Sequence, residues 1–172
     1  FDYRGYGTSK GSPHVKGVFE DSHAAINYVR QRPDVNPDKL VIFGQSLGGT
    51  NAIAAVGSGN QQGIRAVIIE STFSSYSAIA SDKVSGAGYL MNDDYSAQRF
   101  IANISPIPLV LIHGTDDKVI GLHHTQRLFA LAGEPKQLIE VPGGGHIQAF
   151  APQFVKTYQA QLLTFLASAL PP

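Results

Sequence analysis

The chain has 172 residues, 43% of them hydrophobic, enough for one core and in keeping with a single domain. Its 13 acidic residues balance 13 basic ones with no basic run, which speaks against nucleic acid or an anionic membrane as principal partner. Cysteine is absent, excluding disulfides, Cys metal ligands and thiol catalysis, and no apolar stretch reaches the ~18 residues of a spanning helix.

In chain order, Phe1-Asp2-Tyr3 reads as the end of a strand, running into the glycine-rich loop Arg4 to Gly11, where Arg4 is placed to brace the loop against a carboxylate. Residues 17–32 predict a helix with Val18, Ala25, Ile26 and Val29 as its apolar stripe, stopped by Pro33. Leu40-Val41-Ile42-Phe43 predicts a buried parallel strand, and 50–57 a helix. Arg65 to Glu70 is a second strand candidate, Ile107 to Ile112 a third and Gln137 to Val141 a fourth. Helices are expected from Leu122 to Ala132 and from about Ala149 to Ala169, the latter with Phe154, Tyr158, Leu162, Phe165 and Leu166 facing the core. Alternating helix and strand is the pattern of a parallel sheet covered on both faces. The irregular stretch 71–106 lies between two core strands, and its Phe73 and Tyr76 are placed to line a pocket or to pack a surface loop.

Between the first strand and its helix stands Gly44-Gln45-Ser46-Leu47-Gly48-Gly49, a G-x-S-x-G pentapeptide extended by a glycine. Strand, pentapeptide and helix form a nucleophile elbow, in which the serine occupies a strained turn so that its hydroxyl projects from the sheet. A Cβ at either Gly44 or Gly48 is expected to clash with the turn, and Gly49 to let the helix lie close to the strand.

A nucleophilic serine needs a base, and the base an orienting acid, here in the chain order Ser, acid, His. The third strand ends in His113-Gly114-Thr115-Asp116-Asp117, offering two aspartates just past a strand's carboxyl end, where ligands gather in open α/β sheets. The fourth ends in Pro142-Gly143-Gly144-Gly145-His146, a loop with little side-chain obstruction between the imidazole and Ser46. The remaining histidines read differently. His113 is a structural group at a strand end, and His14 and His23 are surface or interhelix residues. His123 and His124 have no Cys or carboxylate at metal-ligand spacing in the sequence, so no metal site is assigned. Gly143 to Gly145 precedes no G-K-[ST], and Ser46 occupies the second glycine position of a dinucleotide fingerprint.

Taken together, these motifs resemble the α/β-hydrolase superfamily, and the likeness runs the length of the chain. Residues 1–11 resemble the loop after the fourth strand in small esterases and prolyl-oligopeptidase-like hydrolases. His113-Gly114-Thr115-Asp116-Asp117-Lys118-Val119 fits that group's H-G-x-x-D-x-x-V pattern, which selects Asp117 as the acid, although Ile120 stands where a proline is usual.

The resemblance implies an α/β-hydrolase fold, a mostly parallel sheet with helices on both faces. It implies a serine hydrolase with Ser46, Asp117 and His146 as triad and the Leu47 amide as one oxyanion donor, acting on a small-molecule ester, a thioester or a short peptide without a cofactor. The alternative is a non-catalytic binding scaffold of the same fold. It also implies that 1–172 is the C-terminal part of one such domain, with a short lid-like insertion at 71–106. In the family, three strands, part of a fourth and a helix precede Phe1, among them the strand that neighbours the elbow strand and leads to the second oxyanion amide. The elbow strand is then expected at the sheet edge, open to a further chain covering it. Compartment stays open between the cytoplasm and export or tethering through a segment upstream of Phe1.

Overall fold

The computed structural model describes residues 1–170. Four strands, β1 (Leu40–Gln45), β2 (Ile64–Glu70), β3 (Leu109–Gly114) and β4 (Lys136–Val141), form one parallel sheet in sequential order. Their continuous apolar runs fit strands covered on both faces. The first face carries α1 (Val15–Arg30), α2 (Leu47–Gly57) and α4 (Leu122–Leu131) over a core that includes Ile26, Ile53, Leu128, Val67, Ile69 and Leu111. The second carries α5 (Val155–Ala169), whose Tyr158 and Leu162 pack on Ile68, Val110 and Ile112.

The first helix runs two residues earlier than expected, Val15–Arg30 against 17–32, and other details differ as well. Phe1-Asp2-Tyr3 is irregular rather than strand, and the described residues offer it no neighbouring strand to pair with. Residues 149–154 form turns, so α5 starts at Val155 instead of Ala149. Val29 is exposed, while Val18 and Ile26 of the same stripe are buried. Its face looks onto a groove of about 950 Å³ that runs along β1 and is lined by Ala25, Val29, Leu40, Val41 and Ile42. The stretch 71–106 is built from α3 (Tyr76–Lys83) and three short 3₁₀ turns.

β1 is an edge strand with one uncovered face. Val41 and Phe43, which point away from α2, are 50% and 49% exposed. Arg4 braces the first loop: its guanidinium binds Asp21 at 2.7 Å and Glu20 at 3.2 Å across to α1.

Candidate functional site

Ser46 sits between β1 and α2 with φ 52°, a left-handed conformation that is rare and costly for a residue with a Cβ. The turn stays tight because Gly44 has no side chain; a Cβ there would lie 2.7 Å from the Gly48 carbonyl oxygen and 2.8 Å from Gly49 Cα. Gly48 differs from expectation: a Cβ there meets nothing within 4 Å, because position 48 faces away from the strand. Gly49 allows a close approach on two sides: its Cα abuts Gly44 of β1, and a Cβ there would lie 2.8 Å from Thr72 Cβ and 2.9 Å from Ile69 of β2. The Leu47 N–H opens α2, beyond the reach of the helix's own carbonyls, at the positive end of its dipole.

The loops after β3 and β4 are joined by backbone hydrogen bonds. Thr115 N–H donates to Val141 O at 3.0 Å and Asp116 N–H to Gly144 O at 2.9 Å. This pairing carries Asp117 and His146 together. His146 Nδ1 lies 2.8 Å from Asp117 Oδ2, and its Nε2 lies 3.0 Å from Ser46 Oγ. A carboxylate only accepts, so the imidazole proton is on Nδ1, and Nε2 presents its lone pair to the serine hydroxyl.

Asp117 also accepts the Val119 and Ile120 N–H groups on Oδ1 at 2.8 and 2.9 Å. Burial pushes its carboxyl up, yet the Ile120 N–H, the His146 hydrogen bond and the Val119 N–H outweigh burial and hold it below the ordinary carboxylate range. Asp116 is exposed, and among the described residues its carboxylate accepts only the Thr115 hydroxyl, at 3.3 Å. The structure thus brings Ser46, His146 and Asp117 into one chain of hydrogen bonds and leaves Asp116 outside it. Such a chain can remove a proton from the serine as it attacks a carbonyl.

Phe73 and Tyr76 are buried, with ring centroids 5.2 Å apart, and pack with Ile120 of the acid loop. Burial pushes the Tyr76 hydroxyl up to about 12, so it stays protonated. Exposed apolar side chains stand beside each member of the hydrogen-bonded chain: Leu47, Val119 and Ile147.

Sequence spacing missed one cluster. Asp82 of α3, 42 residues from His124, places Oδ2 3.0 Å from Nε2 of both His123 and His124. These three groups are the donors that a metal ion would require. However, His124 Nδ1 accepts the Ser74 N–H at 3.2 Å, so its proton resides on Nε2 and points at Asp82. His124 is therefore a hydrogen-bond donor that ties α3 to α4, and the cluster does not fit a metal.

The chain is 52% identical over its whole length to the protein YfhR of Escherichia coli O157:H7 and 35% identical over 85% of its length to Rv2307c of Mycobacterium tuberculosis. It spans 61% of the length of that YfhR and 51% of that of Rv2307c. Among solved structures it is similar to the α/β-hydrolase GrgF of Penicillium sp. sh18, with TM-score 0.76 and 17% identity over 98% of this chain and 78% of that one. It is also similar to an esterase domain from Rhodothermus marinus, with TM-score 0.69 and 18% identity over 96% of this chain and 71% of that one. At those identities the likeness is one of fold, the α/β-hydrolase fold. The sequence pattern of the prolyl oligopeptidase family matches residues 13–171, and the chain belongs to that family of hydrolases.

Proposed function

We propose that the protein is a serine hydrolase that cleaves a carboxylic ester, thioester or amide bond through Ser46, His146 and Asp117. The observation that carries this reading is the unbroken relay from Ser46 Oγ to His146 at 3.0 Å and from His146 to Asp117 at 2.8 Å. Ser46 Oγ bonds to the substrate carbonyl carbon while its proton passes to His146 Nε2, and the depressed Asp117 carboxyl stays ionised to steady the imidazolium. The Leu47 N–H donates to the oxyanion. As the tetrahedral intermediate collapses, His146 returns the proton to the leaving oxygen, sulfur or nitrogen. Water then attacks the acyl-serine, giving a proton to His146, and the carboxylic acid departs as Ser46 is restored.

Leu47, Val119 and Ile147 give the acyl group apolar contact, with Phe73 and Tyr76 backing the wall behind Ile120. A small-molecule ester or thioester, or a short peptide, suits this half-open site.

Labelling with a fluorophosphonate tests the reading. The protein at its full encoded length is expected to take up one probe at Ser46 and Ser46→Ala none. A protein that stays unmodified, or a variant labelled as fast as wild type, would make this a binding scaffold instead.

A further inference from the structure

One buried carboxylate has no part in the relay. Glu70, the last residue of β2, is 1% exposed and lies in register with Gln45 on one side and Ile112 on the other. Its Oε2 accepts from Gln45 Nε2 at 2.7 Å, and its Oε1 accepts the Ala149 N–H at 2.8 Å. Its carbonyl accepts the Ser46 N–H at 2.9 Å. Gln45 immediately precedes the nucleophile candidate, and Ala149 lies three residues after His146. The next residue repeats the pattern: Ser71 Oγ accepts the Ile147 N–H at 3.2 Å. Ile147 has φ 50°, a left-handed conformation that a β-branched residue adopts only when its surroundings impose it.

We propose that Glu70, seconded by Ser71, is the positioning residue of this site, clamping the loop that follows His146 to the elbow that carries Ser46. The proposal rests on the serine-hydrolase reading above. Both carboxylate oxygens are engaged by N–H donors from the two loops, so Glu70 is a clamp between base and nucleophile and not a second acid for His146. A carboxylate suits the task because it accepts from both sides at once. A glutamine can replace it: Oε1 accepts from Ala149, and Nε2 donates to the Gln45 side-chain oxygen once that amide flips. Alanine leaves a buried Ala149 N–H without a partner and frees the histidine loop.

The test uses the protein at its full encoded length, with a p-nitrophenyl ester as substrate and a fluorophosphonate as active-site probe. Displacement of a reacting group by about 1 Å costs on the order of 10²-fold. Glu70→Ala is therefore expected to lower kcat and the labelling rate by about 10- to 100-fold, with KM within about twofold, while the final extent of labelling stays complete. Glu70→Gln should recover all but about threefold. If Glu70→Ala does not fold, Ser71→Gly serves: it removes the side chain whose hydroxyl holds Ile147, suits the φ of 53° that Ser71 itself adopts, and should lower kcat by about 10-fold at unchanged KM. Unchanged kcat in folded variants, a loss carried by KM, or equal losses in Glu70→Ala and Glu70→Gln would overturn the clamp. A wild-type protein inert to the probe would sink the hydrolase reading itself, whereas a reactive wild type with equally reactive variants would sink the clamp alone.

Discussion

His146 and His113 approach the same oxygen, Asp117 Oδ2, at 2.8 and 3.3 Å. His113 is fully buried, its Nδ1 accepting the Thr125 hydroxyl at 2.6 Å and its Nε2–H directed to the Ile120 carbonyl at 2.8 Å. Burial pushes its pKa down, outweighing the Ile120 carbonyl and the Asp117 charge, so it stands beside the carboxylate as a neutral ring. The Asp117 charge is left to His146, and His113 fixes the turn in which Asp117, rather than its neighbour, points inward.

That arrangement separates the two aspartates experimentally. Asp117→Asn is expected to keep the fold and lower turnover by about 10⁴-fold, because an amide in place of the acceptor favours the wrong imidazole tautomer. Asp116→Asn, on an exposed side chain, should change turnover less than about twofold. Steady-state kinetics of both variants on an activated ester decides the matter; equal small losses would place the acid elsewhere.

The elbow glycines give a second contrast. Alanine at Gly44 drives a Cβ into the backbone of Gly48 and Gly49, where no side chain can yield, and should cost about 1–3 kcal/mol with loss of probe labelling. Alanine at Gly48 enters open space in the first turn of α2 and should be neutral or stabilising by up to about 1 kcal/mol. Urea midpoints of the two variants provide the measurement. A Gly48→Ala loss as large as that of Gly44→Ala would mean that position 48 is filled in the working protein.

These outcomes mark what the sequence carries and what it does not. Apolar runs located all four strands to within two residues, because a strand covered on both faces leaves a continuous signature. Chain order and loop chemistry placed Ser46, a pair of aspartates and His146 after three strands, the resemblance to the hydrolase pattern selected Asp117 of the pair, and the structure joins the three through His146 by hydrogen bonds. What escaped depends on three-dimensional approach. The open space at Gly48, the carboxylate of Asp82 beside His123 and His124, and the bond from Glu70 to the Ala149 N–H each join positions with no periodic or motif relation. Val29 shares the periodicity of the α1 stripe, yet it is exposed on the groove beside β1, which periodicity alone does not reveal.

Buried histidines set a pH dependence of stability. Burial pushes His124 down, with His123 adding repulsion and Asp82 opposing, and burial likewise lowers His113. Both are neutral in the folded state and bind protons more readily when unfolded. Their contribution is therefore whole above the unfolded value of about 6.5 and is lost as pH falls below it towards the folded values. Urea midpoints should decline between about pH 7 and 5, and His124→Gln should flatten the slope in that window. An unchanged slope would mean that His124 titrates alike in both states.

The edge of the sheet supports a last prediction. Among the described residues β1 has no partner on its outer side; Val41 and Phe43 leave half their surface exposed, and Val41 lines the groove of about 950 Å³. An apolar edge of this kind is a template for pairing with another chain. We expect the isolated 172-residue chain either to associate through β1 or to require a polypeptide seated along it. Charges at such positions oppose edge pairing. Val41→Lys combined with Phe43→Glu should raise the concentration at which the isolated chain aggregates by about tenfold or more, without altering its circular dichroism. Sedimentation velocity on both forms reads the result. A wild-type chain that stays monomeric at every concentration the variant tolerates would show that β1 needs no cover.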